Sequence, residues 1–573
     1  MSVRTRAVAA LLAALIGLSA VAEDRPQRPG PTGQGFLLPN GWTITPAGRQ
    51  TVLTDLPLNV LPLPGNKYAL VATSGFNKHE LSVVELETGK VVDQQAVRQS
   101  WYGLALAEGG QRVWWSGGGA GTLHTFDLQN NKLTRTSPDE PAPARGKDKE
   151  KDKKAKAKAK PTFKSGLLPD APARLLYSLD MNAGTITALG LDGKKPARTG
   201  ACGKRPYDIV RGRNGAQLYV SDWAGRAVLA VDPEALRVVA RIPVGEHPNQ
   251  MAVHPKDGRL FVACASSNCV SVIDTQRGVV AETIMTALFP KAPEGSTPDA
   301  LALAPDGLTL YVANADNNCV AVVDVAVPGK SQVKGFVPTG WYPTAVAVTP
   351  DGKNLLVGVG KGNQTRANPI DKDKKAGEDG ARRLPYPYIG TTLSGALSVV
   401  PVPDEKQLAQ YTATVYRNCP YSDKLLTAAP HPIKTAIPTK VGAPSPIKYV
   451  IYIIKENRTY DQVFGDVKKG NGDPSLVMFG EDVTPNHYKL AREFVLLDNL
   501  YCNGQVSRDG HPWSTMAYHT DYIARDWHLT YSRRAGVKDD DEGNLSNAPS
   551  GYLWDACNRA GLGYRSYGEY GKR

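Results

Sequence analysis

The stretch that decides the fold runs through Pro298-Asp-Ala-Leu-Ala-Leu303, the Asp306-Gly307 turn, Leu310-Tyr-Val-Ala-Asn314 and Val320-Ala-Val-Val-Asp324. Short apolar segments rich in Val, Leu and Ala follow one another at turn-length spacing, which is typical of consecutive antiparallel strands. The same order of leading proline, turn and second strand recurs three more times. The other copies begin at Pro206, Pro248 and Pro343.

The spacing of these copies predicts a β-propeller. The leading prolines lie 42, 50 and 45 residues apart, which leaves room for four short strands in each copy. Four strands in a period of about 40 to 50 residues is the pattern of a propeller blade. Weaker copies near Tyr68, Gly103 and Leu175 raise the count to about seven blades. We therefore expect an N-terminal, all-β, seven-bladed propeller over residues 36–430.

Two charged insertions interrupt the repeats, at residues 139–165 and 363–387. The first contains Lys147–Lys160, in which eight lysines stand against three acids, so it carries much of the net charge of +13. A segment with many like charges and few apolar residues buries too little surface to fold, and we expect a solvated, disordered insertion. Nucleic-acid binding is disfavoured because no aromatic residues lie between the lysines.

The N-terminus, residues 1–22, is typical of a secretory signal peptide. Arg4 and Arg6 precede the apolar segment Ala7–Leu18, and Ala20-Val-Ala22 is a small-residue cleavage site. No later segment reaches the ~18 apolar residues that a membrane-spanning helix needs. We expect an exported protein, periplasmic or extracellular, with no stable membrane span. A retained N-terminal anchor is the alternative.

The chain contains seven cysteines, and no two of them have the C-x-x-C spacing of a zinc ribbon. Cys264 and Cys269 flank the short segment Ala-Ser-Ser-Asn, so they are placed to face each other across a hairpin. An exported protein permits a disulfide there. Separate small core residues are the interpretation that we favour, and the pairing stays open.

A different pattern begins at the proline-rich segment 431–446, which we expect to be a semi-rigid linker. Tyr449–Ile454 follows as an unbroken apolar run, which predicts a strand buried on both faces of a parallel sheet. Gly563–Tyr570 has the composition of another strand entering a site.

A helix and a second strand are predicted between these segments. Thr484 is placed as an N-cap and Pro485 at the first helical position, so we expect a helix that extends to Phe494. Phe494–Tyr501 then predicts a strand. Strand, helix and strand in this order indicate an α/β domain, which we assign to residues 447–573.

The candidate site residues follow the predicted strands. Ligands of open α/β sheets bind outside the carboxyl ends of strands, where Glu456 and Asn457 fall. Their carboxylate and amide oxygens suit a divalent metal or a phosphate group. Ser507 lies in a predicted turn, where a metal can activate its hydroxyl, and His511 is a candidate metal ligand or proton donor. Weaker rivals are Thr484, Ser514, Thr515, Asp509 and His519.

The chain resembles two known families. The repeats are similar to the YVTN-type propeller repeat, best at Leu310–Asn314. From Lys448 onward the chain resembles the phosphoesterases that include phospholipase C-like enzymes and acid phosphatases, within the alkaline phosphatase superfamily. The matching motifs are Glu456-Asn-Arg-Thr-Tyr-Asp461, Phe464-Gly465, Thr484-Pro-Asn-His-Tyr-Lys-Leu-Ala491, Asp498-Asn499 and Ser507-Arg-Asp-Gly-His511.

The resemblance implies metal-dependent hydrolysis of phosphate esters, with a divalent ion of unknown identity. It makes Ser507 the nucleophile, which forms a phosphoseryl intermediate and contacts the metal, and it gives Glu456 and Asn457 metal and phosphate contacts. Superfamily members take further Asp and His ligands from well downstream of the serine. Because the sequence ends at Arg573, we expect only the N-terminal part of this domain.

Two functions therefore stay open. The first is an exported phosphoesterase with a serine nucleophile, whose propeller binds a substrate or a protein or glycan partner. The alternative is a non-catalytic propeller binding protein that carries an incomplete, inactive phosphoesterase remnant.

Overall fold

The repeats form four-stranded sheets, as the sequence predicts. Each leading proline is the first residue of a strand that begins a sheet. The structure, a computed structural model, describes residues 28–138, 161–191, 196–365, 387–421, 435–440, 442–539 and 545–570. The predicted signal peptide, the lysine-rich run and most of the second charged insertion lie outside the described residues.

The strands are, in chain order, β1 (Gly30–Thr32), β2 (Gly35–Leu37), β3 (Thr43–Ile44), β4 (Arg49–Leu53), β5 (Pro57–Pro62), β6 (Tyr68–Thr73), β7 (His79–Glu85), β8 (Val91–Val97), β9 (Leu104–Leu106), β10 (Arg112–Ser116), β11 (Leu123–Gln129), β12 (Lys132–Arg135), β13 (Lys164–Asp170), β14 (Leu175–Asp180), β15 (Thr185–Gly190), β16 (Arg198–Ala201), β17 (Pro206–Arg211), β18 (Leu218–Asp222), β19 (Ala227–Asp232), β20 (Arg237–Pro243), β21 (Pro248–Val253), β22 (Leu260–Cys264), β23 (Cys269–Asp274), β24 (Val279–Met285), β25 (Pro298–Leu303), β26 (Thr309–Asn314), β27 (Cys319–Asp324), β28 (Gln332–Pro338), β29 (Pro343–Val348), β30 (Asn354–Val359) and β31 (Gly395–Pro401). The first three form a small sheet of their own.

The other strands form a closed ring of antiparallel sheets, the blades of a β-propeller. Blades 1 to 6 are β5–β8, β9–β12, β13–β16, β17–β20, β21–β24 and β25–β28, and blade 7 combines β29–β31 with β4. The first strand of each blade contacts the first strand of the next, and β29 contacts β5. The pairing of β4 with β31, which sets Val52 opposite Ala396, closes the ring. This closing strand carries no repeat motif and was not predicted from the sequence.

Alternate side chains of one strand pack on two neighbouring blades, which explains why the repeats are apolar on both faces. In β26, Leu310 and Val312 pack in a cluster with Phe261 of blade 5. Tyr311 and Ala313 lie in the cluster that contains Val357 of blade 7. Because successive side chains of a strand point to opposite faces, each blade is buried between two others.

The Asp-Gly turns that the sequence predicts are present. In the β25–β26 turn, Asp306 Oδ1 accepts a hydrogen bond from the Leu308 N–H at 2.8 Å. Gly307 has a φ of +79°, a conformation that glycine adopts without a steric penalty. The turn residues therefore fix where each strand ends and the next begins.

The described helices are α1 (Ile389–Thr392), α2 (Glu405–Asn418), α3 (Tyr460–Phe464), α4 (Pro485–Glu493), α5 (Ser507–Met516), α6 (Asp521–Tyr531) and α7 (Leu553–Arg559), with 3-10 turns at Ala265–Ser267, Ala315–Asn317 and Pro474–Leu476. Over the described ranges, none of these helices is both long and apolar enough to cross a membrane. The chain divides into two compact units: one comprises Met1–Pro29 with Ile451–Tyr501, and the other comprises Gly30–Val450 with Cys502–Arg573.

The predicted strands of the C-terminal part are wrong. Tyr449–Ile454 and Phe494–Tyr501 are not strands in the structure, nor is Gly563–Tyr570, and no described residue after Pro401 is in a β-strand. Tyr449 and Ile451 are 89% and 86% exposed, so the first of these segments is not buried on either face. Apolar composition favours a strand only where neighbouring strands supply hydrogen-bond partners, and the described residues supply none here.

The predicted helix after Thr484 is confirmed. Helix α4 begins at Pro485, with Thr484 at the N-cap position, and it ends at Glu493. The hairpin geometry of two cysteines is also as expected, since Cys264 and Cys269 are directly opposed in the β22–β23 pairing. Both are buried free thiols in the structure.

Candidate functional site

The site is built on helix α5, whose start is fixed by a carboxylate of its own first turn. The side chain of Asp509 accepts hydrogen bonds from the N–H groups of Gln505 at 2.9 Å and Val506 at 2.8 Å. These two bonds tie the incoming chain to the first turn of the helix; they are one half of a capping box, since the Val506 side chain has no acceptor to return a bond. Ser507 is thereby held as the first helical residue, and its side chain is exposed.

The structure brings Ser507 and His511 together on one face of α5. Residues four apart lie one turn from each other on the same side of a helix. His511 Nδ1 lies 2.8 Å from Glu569 Oε1 and 3.0 Å from Oε2. A carboxylate on one imidazole nitrogen fixes the orientation of the ring, as in sites where histidine transfers a proton through the other nitrogen.

Ser507, His511 and Glu569 line one cleft of about 1180 Å³. Arg508 and Asp526 line it as well. The rest of its wall comes from α6, from the segment that follows α6 and from blades 2 and 3, including Tyr522, Ile523, Thr530, Gly536, Gly119 and Asn182. The cleft is therefore formed jointly by the propeller and residues 502–570.

One buried carboxylate of this wall has a shifted pKa. Burial raises the pKa of Asp526 to about 6, and the guanidinium of Arg508, 3.1 Å away, opposes that shift. Arg508 also donates a hydrogen bond to the Tyr522 hydroxyl at 2.8 Å and lies 5.4 Å from the centre of its ring. Arg508 is therefore held in place by Tyr522 and Asp526 at the side of the cleft.

The packing beneath the cleft is aromatic. Tyr522 and Ile523 of α6 belong to one buried cluster with Tyr207 and Trp223 of blade 4 and Trp101 of blade 2. Trp223 and Tyr522 meet edge to face with their ring centres 5.6 Å apart. Large aromatic contacts of this kind hold α6 on the propeller and give the cleft a rigid floor.

Glu456 and Asn457 belong to the other compact unit. Both are exposed, and the Asn457 amide donates to Glu456 Oε1 at 2.8 Å. Asn457 has a φ of +64°, a left-handed conformation that asparagine tolerates better than most residues. The chain bends at Asn457, and the strand predicted before it is absent.

The rival hydroxyls have structural roles. Thr515 is buried and donates to the His511 carbonyl at 2.7 Å. Ser514 donates to the Gly510 carbonyl at 2.9 Å, and Thr484 donates to the Gly480 carbonyl at 3.1 Å. His519 is fully buried and packs against the Trp513 ring at 4.9 Å. Of the candidate hydroxyls on α5, Ser507 is the one that lines the cleft.

Sequence reasoning missed Glu569 and Arg508. Glu569 lies in the segment Gly563–Tyr570, which the sequence analysis expected to enter a site as a strand. The residue arrives by an irregular segment instead, so no periodicity marked its role. Arg508 stands between two named candidates, and an arginine beside a predicted nucleophile is the signal that was available.

The metal ligands expected from the sequence are Glu456, Asn457 and Ser507. Within the described ranges, no three His, Cys, Asp or Glu side chains are grouped so that they could hold a metal ion. Glu456 and Asn457 contact each other through a hydrogen bond. Metal ligation by Glu456, Asn457 and Ser507 stays a prediction from the sequence.

Comparisons with known proteins find similarity in fold alone. No family model matches the sequence, and no curated protein matches it. Among solved structures, hydrazine synthase of Kuenenia stuttgartiensis matches at 15% identity and a TM-score of 0.42, over 55% of this chain and 96% of that one. The RRP9 WD40 repeats match at 10% and 0.43, over 62% and 99%.

A third solved structure, a putative 6-phosphogluconolactonase from Bacteroides fragilis NCTC 9343, matches at 14% identity and a TM-score of 0.39, over 50% of this chain and 86% of that one. Similarity at this level carries no argument about activity. The propeller is defined by the ring of four-stranded sheets itself.

Proposed function

We propose that this chain is a β-propeller binding protein and that residues 502–570 complete its ligand site on the propeller. The observation that carries the proposal is the cleft of about 1180 Å³, whose walls come from blades 2 and 3, α5 and α6. Concave sites of this size, with an aromatic floor and a few polar groups, are typical of small-molecule sites.

The ligand that best fits the cleft carries a phosphate group. Ser507 stands at the first position of α5, where the partial positive charge of the helix N-terminus favours an anion. Arg508 supplies a permanent positive charge beside it, and His511 supplies a ring N–H. A protein or glycan partner on the propeller surface is a further proposal, for which the propeller architecture is the only support.

Binding is tested by calorimetry with phenylphosphonate, a phosphate-ester analogue that cannot be hydrolysed. We expect the wild type to bind it and Arg508→Gln to bind at least about tenfold more weakly, because a charge-assisted hydrogen bond is lost. Arg533→Gln removes an exposed arginine that does not line this cleft and is the matched control. Equal affinities for the wild type and Arg508→Gln would contradict the proposal.

The second candidate function is the hydrolysis of phosphate esters in the same cleft. It is favoured by the placement of Ser507 and His511 one turn apart on α5, both lining the cleft, and by the contact of His511 with Glu569. Together these residues supply a hydroxyl, an imidazole and an orienting carboxylate. Ser507 Oγ would attack the phosphorus while His511 accepts the hydroxyl proton, and the P–O bond to the ester alcohol would break, with His511 returning that proton to the leaving alcohol. Water would then hydrolyse the phosphoseryl intermediate to free serine and inorganic phosphate. An α/β phosphoesterase domain over residues 447–573, with a divalent ion contacted by Glu456 and Asn457, stays a prediction from the sequence.

Hydrolysis is tested by the release of p-nitrophenol from p-nitrophenyl phosphate, with and without added divalent metal. If Ser507 is the nucleophile, Ser507→Ala abolishes release and Ser514→Ala, on the same helix but outside the cleft, leaves it unchanged. Release by the wild type that persists in Ser507→Ala would remove this serine from the mechanism. Binding of phenylphosphonate without any turnover would leave the binding function alone.

Export is the remaining part of the proposal, and it rests on the sequence of residues 1–22. Expression of the full chain in a Gram-negative host, followed by fractionation and N-terminal sequencing, tests it. We expect a processed protein in the periplasmic fraction that begins just after Ala22. An unprocessed cytoplasmic chain would contradict export.

A further inference from the structure

The hairpin of β22 and β23 in blade 5 places two cysteines directly opposite each other. Cys264 is the last residue of β22, Cys269 is the first residue of β23, and the two are paired in the register of the sheet. Cys319, the other cysteine in a described strand, is opposite Asn314 and Pro338 instead. The sequence alone leaves a bond between Cys264 and Cys269 open, whereas the register supplies its geometry.

The backbone of this pair suits a disulfide. Opposed residues of antiparallel strands have Cα atoms about 4.5–5.5 Å apart, and disulfides accept Cα separations of about 4.4–6.8 Å. Both side chains lie in one buried cluster, which also contains Val262 and Met251. The Cys269 thiol lowers the pKa of Cys264, and the same contact raises the pKa of Cys269, so the two sulfur atoms are close enough to influence each other. They can therefore be joined while the strands keep their register.

The matching hairpin of blade 6 shows this position with a single thiol. Its turn has the same 3-10 form, but Asn314 stands opposite Cys319. The Asn314 amide donates to the Thr286 carbonyl at 2.6 Å, and its oxygen accepts from the Thr286 hydroxyl at 3.1 Å. The base of the hairpin is thus held by a hydrogen-bonded amide in blade 6, and blade 5 has a second thiol at the same place.

The turn between the two cysteines contacts the C-terminal segment. Ser266 Oγ lies 2.8 Å from His247 Nδ1 and 3.1 Å from the Tyr518 hydroxyl. Tyr518 is buried in the connection between α5 and α6. A bond at the base of this hairpin would therefore hold the turn against which the connection packs.

We propose that Cys264 and Cys269 are a site of oxidation, at which a small disulfide such as glutathione disulfide introduces a bond between the two sulfur atoms. The bond closes the hairpin at its base and fixes the turn that contacts Tyr518. Neither cysteine lines the cleft, and the bond does not depend on the ligand of the cleft. Export would bring the chain into a compartment that holds such oxidants, but the reaction itself does not require export.

The reaction is an ordinary thiol–disulfide exchange. One cysteine thiolate attacks a sulfur atom of glutathione disulfide, which forms a mixed disulfide and releases one glutathione thiolate. The second cysteine thiolate then attacks the protein sulfur of the mixed disulfide, forms the Sγ–Sγ bond and releases the other glutathione thiolate. The protein gives up two electrons and two protons, and the oxidant is reduced to two thiols. Because both cysteines are buried once the chain is folded, the exchange takes place while the hairpin forms or opens.

The first test detects the bond by mass spectrometry. Trypsin cleaves after Arg259 and Arg277, so the peptide of residues 260–277 contains both cysteines and no other. The full chain is refolded from urea in a glutathione redox buffer, quenched with acid, alkylated in urea and digested without reductant. We expect this peptide to be unalkylated and lighter than its dithiol form by two hydrogen atoms. Cys202, a buried cysteine outside the strands, is the control and is expected to be alkylated.

Recovery of the peptide with both cysteines alkylated would overturn the proposal. A short loop between two cysteines also closes to some extent in an unfolded chain, so the ratio of disulfide to dithiol is measured in the same redox buffer with and without urea. We expect the ratio to be at least about tenfold larger in the folded chain, because the paired strands hold the thiols together. Equal ratios in the two states would overturn the proposal as well.

The last test measures what the bond does to the folded chain. We expect the oxidised wild type to unfold at a midpoint temperature a few degrees above that of the reduced wild type, because a bond favoured by the fold must stabilise the fold in return. The double variant Cys264→Ala/Cys269→Ala should lose this difference, and Cys202→Ala should keep it. Hydrogen exchange is expected to be slower in the oxidised chain at residues 265–268 and 517–520. Equal midpoints and equal exchange in the two forms of the wild type would show that the bond does not hold this hairpin.

Discussion

Two apolar segments of this chain have similar compositions and opposite environments. Leu310–Asn314 is buried throughout, between strands of its own blade and between two neighbouring blades. Tyr449–Ile454 is no less apolar, yet its residues through Ile453 are 56% to 89% exposed and are not in a strand. The difference lies in the partners that each segment finds, since a strand needs neighbours for its backbone groups and its side chains.

The largest expected change in stability tests this difference in environment directly. Ile273 in β23 is fully buried, whereas Ile451 is 86% exposed. We expect Ile273→Ala to lower the free energy of unfolding by about 2–5 kcal/mol, because it removes buried methyl groups and leaves a cavity. Ile451→Ala is expected to change it by less than about 0.5 kcal/mol.

Denaturant unfolding followed by circular dichroism measures both variants. A large loss for Ile451→Ala would break the comparison, because it would mean that the segment is packed in solution as the sequence analysis first expected. A small loss for Ile273→Ala would show that the blades tolerate cavities and that packing between them contributes little.

The comparison also explains how much could be predicted from the sequence. The leading prolines and the Asp-Gly turns recur at nearly constant spacing, so each predicted strand came with its neighbours. The first strand of each of blades 4 to 7 begins at the proline where the sequence places it. Strand β4 escaped prediction because it pairs with β31, more than 300 residues away, and carries no repeat motif. Long-range pairing leaves little trace in a single sequence.

The candidate site was predicted only in part, because local patterns are visible in the sequence and long-range contacts are not. Ser507 and His511 are four residues apart, and their proximity on a helix follows from local geometry. Glu569 and the walls from blades 2 and 3 reach the cleft from distant parts of the chain. The contact of Arg525 in α6 with the propeller is a mixed case. The repeat fixes Tyr207 and Asp299 at equivalent positions, but no local pattern predicts Arg525 as their partner.

The next largest expected effect is a dependence of stability on pH, because the blades bury ionisable groups and the exposed segment does not. His79 in blade 1 is fully buried, with Nδ1 2.8 Å from the Ser100 hydroxyl and Nε2 2.9 Å from the Gly75 carbonyl. Burial, aided by the positive charge of Arg534, lowers the pKa of His79 from 6.5 to about 3. Between these values the unfolded chain binds a proton that the folded chain does not.

The wild type is therefore expected to lose stability, relative to His79→Gln, as the pH falls below 6.5. Between pH 7 and pH 5 the difference in the free energy of unfolding between the two proteins should shift by about 2 kcal/mol. Urea unfolding at each pH measures it. The difference should be constant between pH 7 and pH 8, and a constant difference down to pH 5 would show that the histidine is protonated in the folded blade.

The smallest expected change in stability concerns the N-cap residues of two helices, one in each compact unit. Asp404 caps α2 in the unit of the blades, and its Oδ1 accepts from the Gln407 N–H at 2.7 Å. Thr484 holds the same position at α4, but its hydroxyl donates backwards to the Gly480 and Phe479 carbonyls and makes no bond to the helix N–H groups. Both residues are of types that favour the N-cap, so the sequence alone does not rank them.

We expect Asp404→Ala to cost about 1 kcal/mol of unfolding free energy, because an N–H of the first turn loses its partner and the favourable charge at the helix start is removed. Thr484→Ala is expected to cost only a few tenths of that amount. Thr414→Ala, within α2 but away from its start, is the control for substitution as such. Equal losses for Asp404→Ala and Thr484→Ala would mean that Thr484 does cap its helix in solution, and the two regions would then differ in their strands alone.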